Sequence, residues 1–345
     1  MQKSTVRDSS LELLRIISVM LIIGSHFAQY GGFAFPHENL SVNRLWQELL
    51  FLGGQRGNGM FILISGYFLI SSQEIKSAKV IRIFAELLFY TVLISSLAAI
   101  SGLQDFSLLS LIKTSGLHKS SGYNWWFVRT YLALYLIHPY MNMFLRRLSR
   151  EEYKKFLKAI FIYWCIIPTF TGWQFSGNEL IEFMCVYSVG AYIRLWVKES
   201  GGGKVFILYG ILFVLADAVV VLLLDVIGMK YDIVAENTLY LCCGLLKPFT
   251  FLSALCIFLG FIRLNIPHSG IINTVAGTTL GVYMLHENIF SQRFLWNTIF
   301  RPAAFQDSAY FIPYSLAVIL AILTVCTLLE LLRSRIFRAL SRGKL

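Results

Sequence analysis

The stretch LELLRIISVMLIIGSHFAQY, residues Leu11–Tyr30, determines the class of fold. It has the roughly 20 apolar-rich residues that an α-helix needs to cross the hydrocarbon core of a membrane. Arg15 and His26 stand eleven positions apart within it. At about 100° per residue this separation is close to three whole turns, so both side chains project from one helix face, about 16 Å apart along the axis.

These two ionisable residues have a structural and a functional interpretation. Arg15 lies about one turn inside the predicted span, so its guanidinium can reach the lipid headgroups, and His26 can be a satisfied contact between helices. Ionisable groups inside a membrane nevertheless suggest function by default, because burying them is costly. At this point the sequence leaves both interpretations open.

The composition of the whole chain indicates an integral membrane protein. Of its 345 residues, 57% are hydrophobic and 14% are charged, whereas a soluble protein carries about 25% charged residues. None of the six cysteines has metal-ligand spacing, so no metal is expected. The net charge of +11 is attributed to membrane orientation and anionic lipid, and nucleic acid is not an expected partner.

Hydropathy predicts an all-α transmembrane bundle with about ten spans. The predicted spans are 11–30, 51–72, 80–101, 126–145, 156–173, 180–197, 205–226, 238–262, 271–290 and 309–332. Twenty Lys and Arg residues fall in the termini and loops on the side of the N-terminus, and seven fall on the opposite side. The positive-inside rule therefore predicts that both termini of this multi-pass protein are cytoplasmic.

Aromatic residues mark the end of the second long outer loop, at Tyr123, Trp125 and Trp126. Aromatic side chains at such an edge usually form the interfacial belt of a membrane protein. Stacking against a sugar ring is the alternative for Trp126. Late in the chain, His286 and Glu287 are a candidate proton-handling pair only if the fold brings them beside His26.

Four short patterns follow one another along the chain. They are Arg15 and His26, the FxxxSGY pattern at Phe61–Tyr67, the WF…YxxLY…P pattern at Trp126–Pro139, and GVYMLH at Gly281–His286. In this order, and with about ten spans, they resemble acyltransferase family 3 of integral membrane acyltransferases, particularly the bacterial polysaccharide O-acetyltransferases. The resemblance extends over essentially all of residues 1–345, which are expected to form one membrane domain with no appended soluble domain.

The resemblance implies a reaction and a set of roles. Family members transfer an acyl group, usually acetyl from acetyl-CoA, to a hydroxyl of an envelope or secreted glycan, with no bound cofactor. The essential Arg and His of the family correspond to Arg15 and His26, and its serine-glycine pair corresponds to Ser65 and Gly66. His26 is expected to act as a general base or as a transient acyl acceptor, and Asn58 and Ser65 are candidate hydrogen-bond donors.

One departure from the family concerns the loop after the second span. The family often carries an Arg-x-x-Arg motif there, and this chain has Lys79 and Arg82 at the matching positions. Lysine keeps the charge but lacks the forked geometry that binds a phosphate through two hydrogen bonds, which weakens the assignment of this pair as a clamp for CoA phosphate.

Two other functions compete with acyl transfer, and both fit a membrane bundle with interior charges. One is a flippase or polymerase of lipid-linked polysaccharide, and the other is a carrier of ions or metabolites. The acceptor glycan and the oligomeric state stay open. So does the pairing of four further charges in the predicted spans, which are Glu86, Arg129, Asp217 and Lys247.

Overall fold

The computed structural model describes residues 8–36, 40–103, 105–115, 125–172, 178–198, 200–231, 234 and 242–342. Within these ranges the chain is helical and contains no strand, which confirms the all-α prediction. The helices are α1 (Ser9–Tyr30), α2 (Val42–Leu69), α3 (Ser77–Ile100), α4 (Leu108–Thr114), α5 (Trp126–Arg147), α6 (Arg150–Phe161), α7 (Ile167–Thr171), α8 (Glu179–Trp196), α9 (Gly203–Gly228), α10 (Pro248–Phe261), α11 (Gly270–Ala276), α12 (Thr279–Glu287), α13 (Ile289–Gln292) and α14 (Phe311–Arg342).

Two of these helices are extended by irregular turns. A π-helical segment, Ile162–Ile166, joins α6 to α7, and a longer one, Arg293–Phe300, continues α13. A short 3₁₀ segment, Pro302–Phe305, then leads towards α14.

Four helices are long and apolar enough to cross a membrane, namely α1, α3, α9 and the Phe311–Ala339 part of α14. In α9 only 17% of the most apolar window is buried within the protein. An apolar surface of that extent is not stable against water, so lipid is its natural environment. The six other predicted spans stay predictions.

The span predicted at 51–72 lies in a helix that begins earlier, at Val42, and two other predicted spans are not continuous helices in the structure. The described part of the span predicted at 238–262 becomes a regular helix only at Pro248, because proline is tolerated in the first turn of a helix and disrupts its interior. Lys247 is therefore the residue before α10 and does not lie within a helix. The span predicted at 271–290 is divided into α11 and α12 by a turn at Gly277 and Thr278.

Small residues bring α1 and α2 into close contact along their length. A Cβ atom on Gly57 would overlap the carbonyl oxygen of Ser18, and one on Gly54 would overlap the Ser25 hydroxyl. Residues of this size at a helix interface allow the two backbones to approach. The face of α1 that carries Ser18 and Ser25 is therefore held against α2.

A cluster of buried apolar residues connects α1 to three helices that are distant from it in sequence. It includes Ile22 of α1, Leu87 of α3, Val128 of α5 and Tyr283 of α12. This packing sets α12 beside the C-terminal half of α1, which is the half that carries His26.

Candidate active site

His26 lies beside two ionisable side chains at the end of α12. Its Nδ1 atom is 2.9 Å from His286 Nε2 and 2.9 Å from Glu287 Oε2. The exposed fractions of the three residues are 7%, 0% and 2% respectively. The fold therefore meets the condition that the sequence set for His286 and Glu287, although 260 residues separate the two histidines along the chain.

The hydrogen bonds around His286 determine which nitrogen of His26 carries a proton. His286 Nδ1 is 2.6 Å from the carbonyl oxygen of Val282, which can only accept, so Nδ1 is the protonated nitrogen. In neutral His286 the Nε2 atom is then an acceptor, and His26 Nδ1 must donate to it. Neutral His26 consequently keeps the lone pair of its Nε2 atom free, and this is the atom that can act as a base.

Glu287 places a carboxylate next to this base. Its Oε2 atom is within 2.9 Å of His26 Nδ1 but makes no hydrogen bond of ordinary geometry with the described residues. Its Oε1 atom accepts a long hydrogen bond of 3.5 Å from the Tyr30 hydroxyl. A carboxylate so placed attracts the positive charge that His26 gains when it accepts a proton.

The same three side chains are a possible ligand set for a divalent cation. Two imidazole nitrogens and one carboxylate oxygen lie within 4.8 Å of one another, and this set of donors is used by catalytic zinc sites. The His26–His286 hydrogen bond engages both facing nitrogens without an ion. The expectation that no metal is needed stays a prediction, and a chelation experiment below tests it.

A cavity of about 340 Å³ lies towards the N-terminal end of α1 and is called here the Arg15 cavity. Four residues singled out in the sequence line it, which are Arg15, Ser65, Lys79 and Arg82. Three of them are cations, and the two carboxylates that also line the cavity, Glu86 and Glu330, are paired with Arg333, so the cavity suits an anionic ligand. The Ser65 hydroxyl donates to the Phe61 carbonyl and can also accept from a ligand.

Neighbouring side chains hold the cations of the Arg15 cavity in position. Arg15 pairs with Glu12 at 3.1 Å, and its side chain is 32% exposed. The Lys79 ammonium donates to the Tyr131 hydroxyl at 2.9 Å and lies 4.2 Å from the centre of the Tyr135 ring. Arg82, the most exposed of the three, pairs with Glu86.

A second and smaller cavity, of about 70 Å³, contains His26 and is called here the His26 cavity. Asn58 and Trp126, two further residues singled out in the sequence, line it with the side chains of Gln29 and Gln55. Ile22 and Tyr283 line both cavities. Arg15 and His26 thus lie on one face of α1, in separate cavities that share a wall.

Two residues that the sequence singled out serve packing in this structure. A Cβ atom on Gly66 would overlap the carbonyl oxygen of Tyr187, and one on Gly190 would overlap that of Leu63, so Gly66 lies in the contact between α2 and α8. Trp125 is fully buried, and its indole donates to the Met284 carbonyl. The expectation that Trp125 belongs to an exposed aromatic belt is therefore wrong, while Tyr123 lies outside the described residues.

Several charges assigned to loops or left unpaired are in fact buried in pairs. Arg44 and Arg56 lie within α2 and pair with Asp225 and Asp217, and Arg333 lies within α14 and pairs with Glu330 and Glu86. The sequence had predicted that all three arginines lie in loops or termini, and this prediction is wrong. Arg129 and Lys247 also take part in interactions within the protein.

Sequence reasoning missed Tyr283 as a residue of the site. It lies in the GVYMLH pattern, three residues before His286, which places both side chains on one face of α12. Because of this spacing, Tyr283 can be recognised as a neighbour of the site once His286 is known to contact His26.

Comparison with known proteins bears on the reaction. A family model described as an acyltransferase domain matches residues 8–331, which is nearly the whole chain and includes both cavities. The chain belongs to this acyltransferase family. The resemblance to acyltransferase family 3 seen in the sequence is thereby confirmed. No curated protein and no solved structure matches the chain.

Proposed function

We propose that this protein is a membrane O-acyltransferase that moves an acetyl group from acetyl-CoA to a hydroxyl of an envelope or secreted glycan. Family membership supports acyl transfer. The observation that carries the proposal is the free Nε2 lone pair of His26, which results from the hydrogen-bonded chain of His26, His286 and Val282. A histidine is well suited to remove a proton near neutral pH.

In the proposed reaction, the acceptor hydroxyl is the nucleophile. His26 Nε2 takes the proton of the acceptor hydroxyl while the hydroxyl oxygen forms a bond to the thioester carbonyl carbon, and the π electrons of that carbonyl move to its oxygen. The carbon–sulfur bond then breaks, and its electron pair leaves with the sulfur. His26 returns the proton to the thiolate, so the products are an acetyl ester and CoA. Glu287 attracts the imidazolium that exists between these two steps.

The cations of the Arg15 cavity support an anionic donor. Beside this cavity is a wider basin of about 790 Å³, which shares Arg82 with it and is also lined by His268 and Arg338. Cations spread over both spaces suit the phosphates of CoA. Lys79 and Arg82 together fit this role better than either residue would alone.

The two cavities also fit a reaction whose substrates come from opposite sides. The positive-inside rule assigns the N-terminal end of α1 to the cytoplasm, where acetyl-CoA is present. The His26 cavity would then lie in the outer half of the cell membrane of a bacterium, beside the space in which envelope glycans are modified. Trp126 and Asn58 offer an aromatic face and an amide to a sugar.

Replacement of His26 tests the proposal. In purified protein reconstituted into lipid nanodiscs, His26→Ala should lower the rate of acetyl transfer from labelled acetyl-CoA by about 10³-fold, because general-base catalysis contributes 10²–10⁴. His138→Gln is the matched control, since His138 is also fully buried but lines none of the three cavities described here. It should keep its activity.

The same assay separates the competing functions. Activity retained in His26→Ala would refute the assignment of the base. Wild-type protein that moves lipid-linked glycan or ions without consuming acetyl-CoA would refute acyl transfer. The acceptor is identified by proton NMR of the envelope glycans of a deletion strain, in which one acetyl signal should be missing.

A covalent variant of the mechanism has its own measurement. If His26 first accepts the acetyl group itself, a chilled single-turnover reaction should leave hydroxylamine-sensitive label on the protein. Absence of that label would support direct attack of the acceptor hydroxyl on the thioester carbonyl.

A further inference from the structure

The wall between the Arg15 cavity and the His26 cavity contains a buried hydroxyl group that is not satisfied. Tyr283 is 6% exposed, lines both cavities, and its hydroxyl makes no hydrogen bond of ordinary geometry with the described residues. A buried polar group without a partner costs stability, and such groups in native proteins call for an explanation. A ligand that accepts its proton is one such explanation.

The beginning of α5 approaches the same wall. The amides of Val128 and Arg129 donate to the Trp125 carbonyl, and no side chain caps the helix. The amides of Trp126 and Phe127 precede these and have no partner within the helix. The Trp126 side chain lines the His26 cavity, Phe127 lines the Arg15 cavity, and the Phe127 backbone lies beside the Tyr283 hydroxyl.

The position of Tyr283 relative to the base is also defined. Its ring is perpendicular to that of His286, with the ring centroids 6.1 Å apart, and His286 contacts His26. Ile22, the other shared wall residue, lies four positions before His26 on α1. The hydroxyl therefore lies in the wall between the cavity that contains the base and the cavity proposed for the donor, where the donor carbonyl and the acceptor hydroxyl would meet.

We propose that the Tyr283 hydroxyl, beside the first turn of α5, stabilises the oxyanion that forms on the donor carbonyl during acyl transfer. This inference rests on the proposed function. When the acceptor oxygen adds to the carbonyl carbon, the π electron pair moves to the carbonyl oxygen, and Tyr283 donates a hydrogen bond to that oxygen without losing its proton. The hydrogen bond is released when the carbonyl re-forms and the thiolate leaves, so tyrosine ends the cycle unchanged.

Tyr283→Phe tests this role with the smallest possible change. Loss of one oxyanion donor lowers kcat by about 10²–10³-fold in other enzymes, and a fall of that size is expected here, with the KM for acetyl-CoA almost unchanged. Because the hydroxyl proton has no acceptor among the residues that the structure describes, its removal should leave the thermal unfolding midpoint unchanged or raise it. A purely structural tyrosine would show the opposite pattern.

A second tyrosine supplies the control for loss of a buried hydroxyl. Tyr153 is fully buried, and its hydroxyl donates to the Ser188 carbonyl at 2.8 Å, within a different part of the core. Tyr153→Phe should lower the unfolding midpoint and keep kcat. Incorporation of 3-fluorotyrosine at position 283 keeps the hydroxyl but makes it more acidic, and should change kcat if it donates to the oxyanion.

The outcomes separate this inference from the proposed function. If wild type transfers acetyl and Tyr283→Phe keeps kcat within about threefold, the oxyanion role is refuted while acyl transfer stands. An unchanged kcat with 3-fluorotyrosine would refute it in the same way, even if the phenylalanine variant failed to fold. If the wild-type protein transfers no acyl group, the proposed function itself fails.

Discussion

Two buried groups of ionisable residues join distant parts of this chain, and they differ in how completely their hydrogen bonds are made. In the first, Arg333 donates to both carboxylate oxygens of Glu330 and to Glu86, while Tyr90 and Ser334 also donate to Glu330. In the second, the His26 group, Glu287 Oε2 makes no hydrogen bond of ordinary geometry with the described residues and His26 keeps a free lone pair.

This difference in hydrogen bonding favours a structural role for the Arg333 group and a catalytic role for the His26 group. In the Arg333 group, the guanidinium and both oxygens of Glu330 are engaged within the protein, and the group holds α3 against α14. An incompletely bonded cluster beside a cavity is costly to the fold and is available to a substrate. Ionisable residues in a membrane helix thus become informative about function only when their hydrogen bonds have been accounted for.

The largest expected effect on stability is in the satisfied cluster. Arg333→Met should lower the free energy of unfolding in detergent micelles by about 3–5 kcal/mol, because it leaves Glu330 and Glu86 buried without their common partner. Arg335→Met, two positions away and exposed, is the matched control and should change it little. An unfolding free energy for Arg333→Met equal to that of the wild type would show that the Arg333 group does not stabilise the fold.

At Glu287 we expect an effect on the rate of catalysis and not a loss of stability. Glu287→Gln should lower kcat by about 100-fold, since the carboxylate no longer attracts the protonated His26, and should leave the unfolding midpoint unchanged or higher. Glu48→Gln changes a similarly buried carboxylate that pairs with Arg44 and lines none of the three cavities, and should lower stability while keeping kcat. Full activity in Glu287→Gln would show that its charge has no part in catalysis.

No effect is expected when metal ions are removed. Dialysis of the reconstituted protein against a chelator should leave acetyl transfer unchanged, and metal analysis should find no stoichiometric ion, because His26 acts as a base in the proposed mechanism. Activity that is lost on dialysis and restored by zinc would assign His26, His286 and Glu287 as ligands instead.

The sequence predicted the parts of the site that lie on one helix or within one motif. Helical periodicity alone placed Arg15 and His26 on one face, and the late motif drew attention to His286 and Glu287. The sequence did not predict the contacts between distant segments. Nothing in a single sequence connects Arg333 to Glu86, which lies 247 residues away.

The errors have a common physical origin. A count of loop charges treats any arginine near the end of an apolar stretch as solvated, so Arg44, Arg56 and Arg333 were placed in loops although buried carboxylates bind them. Gly66 shows the reverse difficulty. A glycine that admits a neighbouring backbone and a glycine that admits a ligand look identical in sequence, and only the carbonyl of Tyr187 decides between them.

The shared wall of Ile22 and Tyr283 has a consequence for the energy supply of the cell. A bacterial membrane stores energy as a gradient of protons, and any continuous file of water through a protein would dissipate it. In the proposed reaction, an acetyl group passes from one cavity to the other by bond formation and bond breaking at Ile22 and Tyr283, so the transfer itself needs no continuous file of water between them. In the proposed function, the wall that holds the oxyanion donor is then also the barrier between the two sides of the membrane.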